Sequence, residues 1–323
     1  MSNITIVVCT HNRAAGLRAA LASLFPLATE GRFSYDILVV NNASTDTTEE
    51  VIAAAAAQSP VPLHGVYEPC QGITPARNRG VQEASGDWIA FFDDDQLADP
   101  RWLAELFCLA EEKCVHSVGG AVWLNLPKDA RRQLRPTVRM LLGESDWSRA
   151  PALYGAGGSP FPGAGNWMLH RGVFAKIGAF RDCPGGRGED TDLFRRVRAA
   201  GFKSWYVPTA IVHHVITPQR LEEPYLHRLA RSIGEGVAEG EAQQWDKFSL
   251  VARWMLKLAR TGLVYLPQWG VAELARQAEQ SLDMRCLLAI QRAHHRRCWQ
   301  LLKQAWLPPH PSPEALAAAS HEV

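Results

Sequence analysis

Four short strand candidates stand at residues 4–9, 36–40, 61–67 and 88–92, and all but the third are apolar runs with little of the polar alternation of a half-exposed strand. Strands that read this way are buried on both faces, as in the middle of a parallel sheet. Helical stretches separate them. Residues 17–24 have helical spacing, Ser44, Thr45 and Asp46 offer caps before the alanine-rich 51–57, and 76–84 continues the pattern. Asp99-Pro100 then opens a helix through Leu109, a cap residue followed by proline in the first turn. Strand and helix in this order predict an α/β fold: a doubly wound, mostly parallel sheet flanked by helices. A fifth strand near 115–124 follows. Residues 125–165 then mix proline, glycine and charge without period, the composition of a lid or binding loop. Regular structure resumes with a strand at 166–169, a helix at 190–200 and a strand at 204–207, and from 224 to 307 the pattern is helical.

The fourth run ends in Asp93-Asp94-Asp95. Adjacent carboxylates at the end of a buried strand repel one another and resist desolvation, so they call for a compensating cation. Oxygen ligands of this kind suit Mg²⁺ or Mn²⁺, which commonly bind a substrate's phosphates at the same time. The carboxyl end of a strand in an open α/β sheet is also where ligands dock. The plainer alternative is an acidic turn that caps the helix near Pro100.

At 323 residues, 47% apolar and 21% charged, the chain has the composition of a globular protein with one large domain and an appendage. A net charge of +1 gives no general attraction to nucleic acid. The cysteines (Cys9, Cys70, Cys108, Cys114, Cys183, Cys286 and Cys298) are odd in number and never form Cys-x-x-Cys, which argues against a disulfide framework or a zinc site. No leader precedes the first strand, and no apolar run reaches the roughly 20 residues of a membrane span. A cytoplasmic protein is the expectation.

Val7-Val8-Cys9-Thr10-His11-Asn12-Arg13, then Val39-Val40-Asn41-Asn42-Ala43-Ser44-Thr45-Asp46, then Gly72-Ile73-Thr74-Pro75-Ala76-Arg77-Asn78-Arg79-Gly80, then Phe91-Phe92-Asp93-Asp94-Asp95 follow one another along the chain. Gly188-Glu189-Asp190-Thr191-Asp192-Leu193 and Arg198-Ala199-Ala200-Gly201-Phe202 come later. In this order the segments resemble those of family-two glycosyltransferases, over residues 1 to 221. The resemblance implies a GT-A fold with a nucleotide-sugar-binding half at 1–124, an acceptor-side half at 125–221 and a helical extension at 222–307. The proline-rich 308–323 reads as disordered. It also implies a metal-dependent, inverting, hexosyltransferase-type enzyme of polysaccharide biosynthesis. Such an enzyme moves a sugar from a nucleotide diphosphate, UDP-linked by expectation, to a hydroxyl of a glycan or lipid-linked acceptor.

Site residues carry over one by one. The family's Asp-x-Asp falls on Asp93 and Asp95 as ligands of Mn²⁺ or Mg²⁺, with Asp94 between them on the donor side and His214 completing the metal or diphosphate site. Thr10, His11, Asn12 and Arg13 face the base and ribose, as does Asn41, where the family commonly has an aspartate. Gly72, Arg77 and Asn78 belong to the phosphate side. Gly163-Ala164-Gly165-Asn166 is similar to the segment lining the sugar pocket, with Asn166 bonding sugar hydroxyls. The family's base maps to Asp190, with Glu189 beside it.

Elementary chemistry points the same way. A departing diphosphate needs its charge stabilised, which a carboxylate-bound cation does, and an acceptor hydroxyl needs a base during attack. On residues alone, Glu189-Asp190 is equally a helix N-terminal charge pattern. Two other functions remain open at this stage: a sugar-nucleotide pyrophosphorylase and a non-catalytic nucleotide-sugar-binding protein. The glycine fingerprint of dinucleotide enzymes and the Walker lysine loop are missing.

In the C-terminal stretch, Leu250, Val251, Trp254, Met255, Leu258, Gly262, Tyr265 and Leu266 share one helical face, with Arg253, Lys257 and Arg260 opposite. Arg285, Arg292, Arg296, Arg297 and Lys303 follow with few acids nearby. Two fates suit such a stripe: burial against the rest of the protein, or peripheral contact with the inner face of the membrane.

Overall fold

A computed structural model describes residues 2–128, 130, 134–155, 160–183 and 188–306; the expected disorder at 308–323 lies outside these residues. The chain divides into two compact units, residues 1–132 with 139–222, and residues 133–138 with 223–323.

The first unit is built on a nine-stranded sheet. Its parallel part consists of β1 (Ser2–Thr10), β2 (Phe33–Asn41), β3 (Leu63–Tyr67) and β4 (Trp88–Asp93), side by side as β3-β2-β1-β4. Between them run α1 (Ala14–Leu24), α2 (Thr48–Gln58) and α3 (Ile73–Glu83). Beyond β4 the sheet is mixed. It comprises β5 (Gln96–Ala98), β6 (Ser117–Asn125), β7 (Ala152–Leu153), β8 (Asn166–His170) and β9 (Ser204–Val215), with β8 antiparallel to both β4 and β6. The helices here are α4 (Trp102–Glu112), α6 (Arg171–Ile177) and α7 (Glu189–Ala199), with the part of α5 (Pro136–Leu141) that follows residue 138.

Both faces of β1, β2 and β4 are buried, as their continuous apolar runs require, whereas β3 is the edge strand and has no buried residue. Ile4, Ile6 and Val8 of β1 join a core with Leu17 of α1, Ile52 of α2 and Trp102 of α4. Val7 looks the other way, into a second core with Ala76 of α3, Phe174 of α6 and Leu193 of α7. At roughly 1.5–3 kcal/mol for each large apolar side chain fully buried, these two cores are the main force holding helices on each face.

β9 extends well past residue 207, where the sequence pattern stops. Pro208 has no N–H for a ladder, and the chain bulges there: Gly120 pairs with Val207, yet Ala121 pairs with Ile211. Pairing then continues to Val215, and after Asp95 the short β5 returns so that Gln96 lies opposite His214. This return brings the far end of β9 to the acidic triplet.

In the second unit, α8 (Glu223–Gln244), α9 (Lys247–Arg260), a π-helical turn (Thr261–Tyr265), α10 (Leu266–Leu274) and α11 (Ala278–Trp306) pack together. Residues 134–138 join them, for Thr137 and Val138 donate to the Asp283 carboxylate. The striped helix α9 turns Leu250, Val251 and Trp254 toward Ala238, Cys298 and Leu302, and Trp254 stacks on Trp299. Lys257, expected on the outer basic face, points inward instead. Its ammonium lies 2.6 Å from Glu241 Oε1 and 3.2 Å from His294 Nε2, while Glu241 Oε2 lies 2.8 Å from that same imidazole nitrogen. Arg285 pairs with Glu223 and Glu273, and Arg297 with Glu239, so these two arginines are answered by acids after all. Glu241, His294 and Cys298 form a trio with metal-capable atoms within 4.8 Å, but the Lys257 ammonium already bonds Glu241 and stands 3.2 Å from the same imidazole nitrogen.

Burial would raise the Glu241 carboxyl, but hydrogen bonds from His294 and Lys257 outweigh it and lower the pKa from 4.5 to about 2. A carboxylate held low contributes stability above its unfolded pKa and loses it as pH falls through the folded value, here worth on the order of 3 kcal/mol. Glu241→Gln should therefore be less stable than wild type at neutral pH. The gap in melting temperature should close as pH is lowered from 4.5 toward 2, as thermal melts across that range would show.

Candidate active site

The carboxyl ends of three parallel strands bring Thr10, Asn41 and Asp93 into one row, since Thr10 pairs with Asn41 and Cys9 with Asp93. The acidic triplet follows directly. Asp94 is buried and accepts from Arg13 Nη1 at 2.9 Å, and the same nitrogen donates to Asp95 Oδ2 at 2.7 Å. Asp95 Oδ2 also accepts from Arg220 Nη2 at 2.7 Å and lies 3.4 Å from His214 Nε2. Burial alone would raise the Asp95 carboxyl; contacts with His214, Arg220 and Arg13 overcome this and hold it well below the ordinary carboxylate range. Asp93 behaves in the opposite way. Crowding by protein, with Asp95 and Asp94 close by, pushes it upward against the pull of Arg77.

His214 has a defined tautomer. Arg220 Nη1 sits 2.6 Å from Nε2 and has only protons to offer, so Nε2 accepts. The ring proton is then on Nδ1, which donates to the Leu142 carbonyl at 2.8 Å. The same Nε2 lies 3.4 Å from Asp95 Oδ2, and a metal held there would take the lone pair that Arg220 now engages.

Arg77, inside α3 and buried, is the third arginine of the site. It forms a buried ion pair with Glu189, reaches Asp93 at 3.8 Å and lies over the Phe180 ring at 5.5 Å. Glu189 is thereby committed to Arg77, and the next residue, Asp190, is the more open carboxylate. Both occupy the first turn of α7, where Asp190 Oδ1 accepts from Thr191 N at 2.7 Å. Asn78, one residue beyond Arg77, works on backbone. Its amide donates to Phe180 O and accepts from Phe180 N, at 3.0 and 2.8 Å, and so anchors the chain on its way to α7.

The loops after β1 and β2 are stitched together by side-chain amides. Asn12, at φ +52°, accepts from Thr45 N at 2.7 Å and is held by Ser44 Oγ at its own N–H. His11 Nδ1 lies 2.6 Å from Asn42 O. Asn42 in turn accepts from Gly72 N at 2.8 Å and donates to Cys70 O at 2.6 Å, fixing the turn before α3, where Gly72 takes φ +136°. Asp46 accepts from Ala14 N and Thr48 N, at the starts of α1 and α2. Asn41 is buried, with Nδ2 on Glu49 and Oδ1 on Ser44 N, so its amide serves the loop. Arg79 pairs with Glu83 along α3, a surface contact.

Residues 5–178 match the sequence pattern of the family described as glycosyl transferase family 2. The chain belongs to that family. Among similar proteins is the succinoglycan biosynthesis protein ExoM of Rhizobium meliloti strain 1021, 25% identical over 259 residues that cover 80% of each chain. Among solved structures, the mannosyltransferase PcManGT from Pyrobaculum calidifontis, in complex with GDP-Man and Mn²⁺, superposes with a TM-score of 0.58 at 19% identity, over 94% of this chain and 87% of that one. GalNAc-T7 with UDP, GalNAc and Mn²⁺ gives 0.53 at 17% identity, over 72% of this chain and 48% of that one. These likenesses establish the GT-A fold, and the chain is a glycosyltransferase.

In this glycosyltransferase the amide of Asn166, expected at the sugar, is engaged within the protein. Asn166 is buried, its Oδ1 accepts from Trp102 Nε1 at 2.8 Å, and its Nδ2 donates to Ala121 O and Ala210 O at 2.9 and 3.0 Å. Those two carbonyls flank the bulge between β6 and β9, so the amide mends a broken ladder. Its neighbour Gly165 is the residue that faces the acids, where a Cβ would stand 2.2 Å from Asp93 Oδ2. Arg220 escaped sequence reading altogether. It lies in a 3₁₀ turn, Pro218–Leu221, outside every motif, and only the length of β9 delivers it to Asp95.

Asn166→Ala would leave the Trp102 N–H and two carbonyls buried without partners, at about 3 kcal/mol or more in total. A urea titration followed by circular dichroism should show that loss. A variant of normal stability that had lost donor affinity would instead return Asn166 to the sugar.

Proposed function

We propose that this glycosyltransferase carries a sugar from a nucleotide diphosphate to an acceptor hydroxyl with inversion at the anomeric carbon, assisted by Mn²⁺ or Mg²⁺. The observation that carries this reading is the bridge made by Arg77, which ties Asp93 at the end of β4 to Glu189 at the start of α7. It links the donor-side acid to the helix turn that bears Asp190.

Asp93, Asp95 and His214 would hold the cation. The donor set of carboxylate oxygens and one neutral imidazole suits Mn²⁺ or Mg²⁺, and Asp95 and His214 already lie 3.4 Å apart. When bound, the cation supplies Lewis-acid stabilisation of the departing diphosphate. Arg13 and Arg220 keep Asp95 ionised for that task. The Mn²⁺ complexes of PcManGT with GDP-Man and of GalNAc-T7 with UDP support both the metal and the donor class.

Asp190 receives the proton of the acceptor hydroxyl as that oxygen bonds the anomeric carbon and the bond to the diphosphate breaks. The amide of Thr191 occupies Oδ1 and leaves Oδ2 to take the proton. One displacement with one base inverts the configuration. A glycan or lipid-linked hydroxyl is the proposed acceptor, with polysaccharide assembly as the setting, in keeping with the name of ExoM.

Incubation with UDP- and GDP-linked sugars, Mn²⁺ and candidate acceptors, read as release of nucleotide diphosphate, tests the reaction. Turnover should vanish with excess chelator and return on adding metal, and Asp93→Ala should not be rescued. Full activity in chelator would remove the metal from the scheme. Asp190→Asn keeps the size of the side chain and removes its basicity, so turnover should drop roughly 100- to 10,000-fold while calorimetric donor affinity stays near wild type. Near-normal turnover in that variant would place the base elsewhere.

A further inference from the structure

No described helix is long and apolar enough to cross a membrane, yet the helical unit carries a broad apolar surface. Phe248, Met255 and Leu256 of α9, Leu263 of the π turn, and Val271 and Leu274 of α10 are each between 52% and 88% exposed. Of these residues only Met255 belongs to the face anticipated from the helical wheel, because Leu250 and Trp254 of that face pack inward. α9 is therefore apolar on two sides. The inner side has its partners in α8 and α11, and the outer side has none among the described residues.

Charge tells what suits the outer side. Between Asp246 and Glu273 the chain has no acidic residue and four basic ones, Lys247, Arg253, Lys257 and Arg260. Lys257 is spent on Glu241. The guanidinium of Arg253 lies over the Trp245 ring at 4.4 Å and that of Arg260 over Tyr265 at 5.2 Å, and neither has a carboxylate partner among the described residues. Aliphatic side chains and a phenylalanine, edged by arginines resting on Trp and Tyr, make up the anatomy of a helix lying in a lipid–water interface. A water-facing helix would mix charges of both signs, and a protein-binding groove would be concave.

We propose that the outer face of α9, the π turn and α10 docks on an anionic bilayer surface. The apolar side chains enter the headgroup boundary while Arg253 and Arg260 meet lipid phosphates and carboxylates. The proposal does not depend on the transfer reaction, and its test needs no donor or acceptor.

Cosedimentation with vesicles of one part phosphatidylserine to two of phosphatidylcholine, against phosphatidylcholine alone, reads it directly. Wild-type protein should pellet with the anionic vesicles at low salt, and Leu256→Glu with Leu263→Glu should weaken binding roughly tenfold or more. Arg253→Glu with Arg260→Glu should abolish the preference for anionic lipid. Phe248→Ser with Leu274→Ser, at equally exposed positions, provides a second route should the first double variant fail to fold. Wild-type protein that stays in the supernatant with both vesicles overturns the proposal, as do folded variants that bind like wild type. Sedimentation velocity without lipid covers the rival occupant: a dimer that dissociates in the leucine variant and ignores vesicles would mean that a second copy of the chain covers this face, which also overturns it.

Discussion

Negative charge crowded at the carboxyl edge of β4 is the constraint on which the rest of the site depends. Arginines from distant segments answer it: Arg13 after β1, Arg77 within α3 and Arg220 after β9. Their contributions are unequal. Arg77 and Glu189 are both nearly inaccessible, and breaking such a buried pair costs about 3–5 kcal/mol because a bare charge is left behind. Exposed pairs such as Arg32 with Glu111 are worth about 1 kcal/mol or less. The charges that assemble the site are thus also those that hold its segments in register, and chemistry and folding draw on the same contacts.

Side-chain amides supply a second kind of order. An asparagine offers a donor and an acceptor together, so it can pair with backbone much as a strand would. Asn12 and Asn42 join the loops after β1 and β2 to each other and to the turn before α3, Asn78 holds Phe180, and Asn166 closes the gap beside the β9 bulge. Loops that carry function need such rigid anchors when no ladder reaches them. The abundance of asparagine near the site reflects this scaffolding.

The parallel half of the sheet was legible in the sequence because strands buried on both faces leave an unmistakable apolar run, and the acidic triplet stood out because its charges contradict the strand that precedes them. What stayed hidden has physical causes. β9 looked finished at Val207 because proline ends a ladder locally, although pairing resumes beyond it. The bonds of Asn166 to Trp102, Ala121 and Ala210 stayed hidden because an amide beside glycines reads the same whether it faces a ligand or a bulge. On α9 the wheel identified an apolar helix correctly but could not choose which of two apolar sides turns inward, since that is decided by Ala238, Cys298 and Leu302 on other helices.

The bulge at Pro208 also acts as a parity switch. Before it, the odd-numbered Trp205 and Val207 of β9 belong to the core shared with α4; after it, the even-numbered Ala210 and Val212 do. Three inserted residues, an odd number, reverse the phase of the strand. Of the adjacent histidines it is therefore His214 that meets Asp95, while His213 turns to the Trp123 ring. With one residue fewer in that interruption each histidine would turn to the opposite face of the sheet. The imidazole beside the acids is thus selected by a counting rule set at Pro208, upstream in the backbone, which makes the length of this segment as consequential as the identity of any side chain in it.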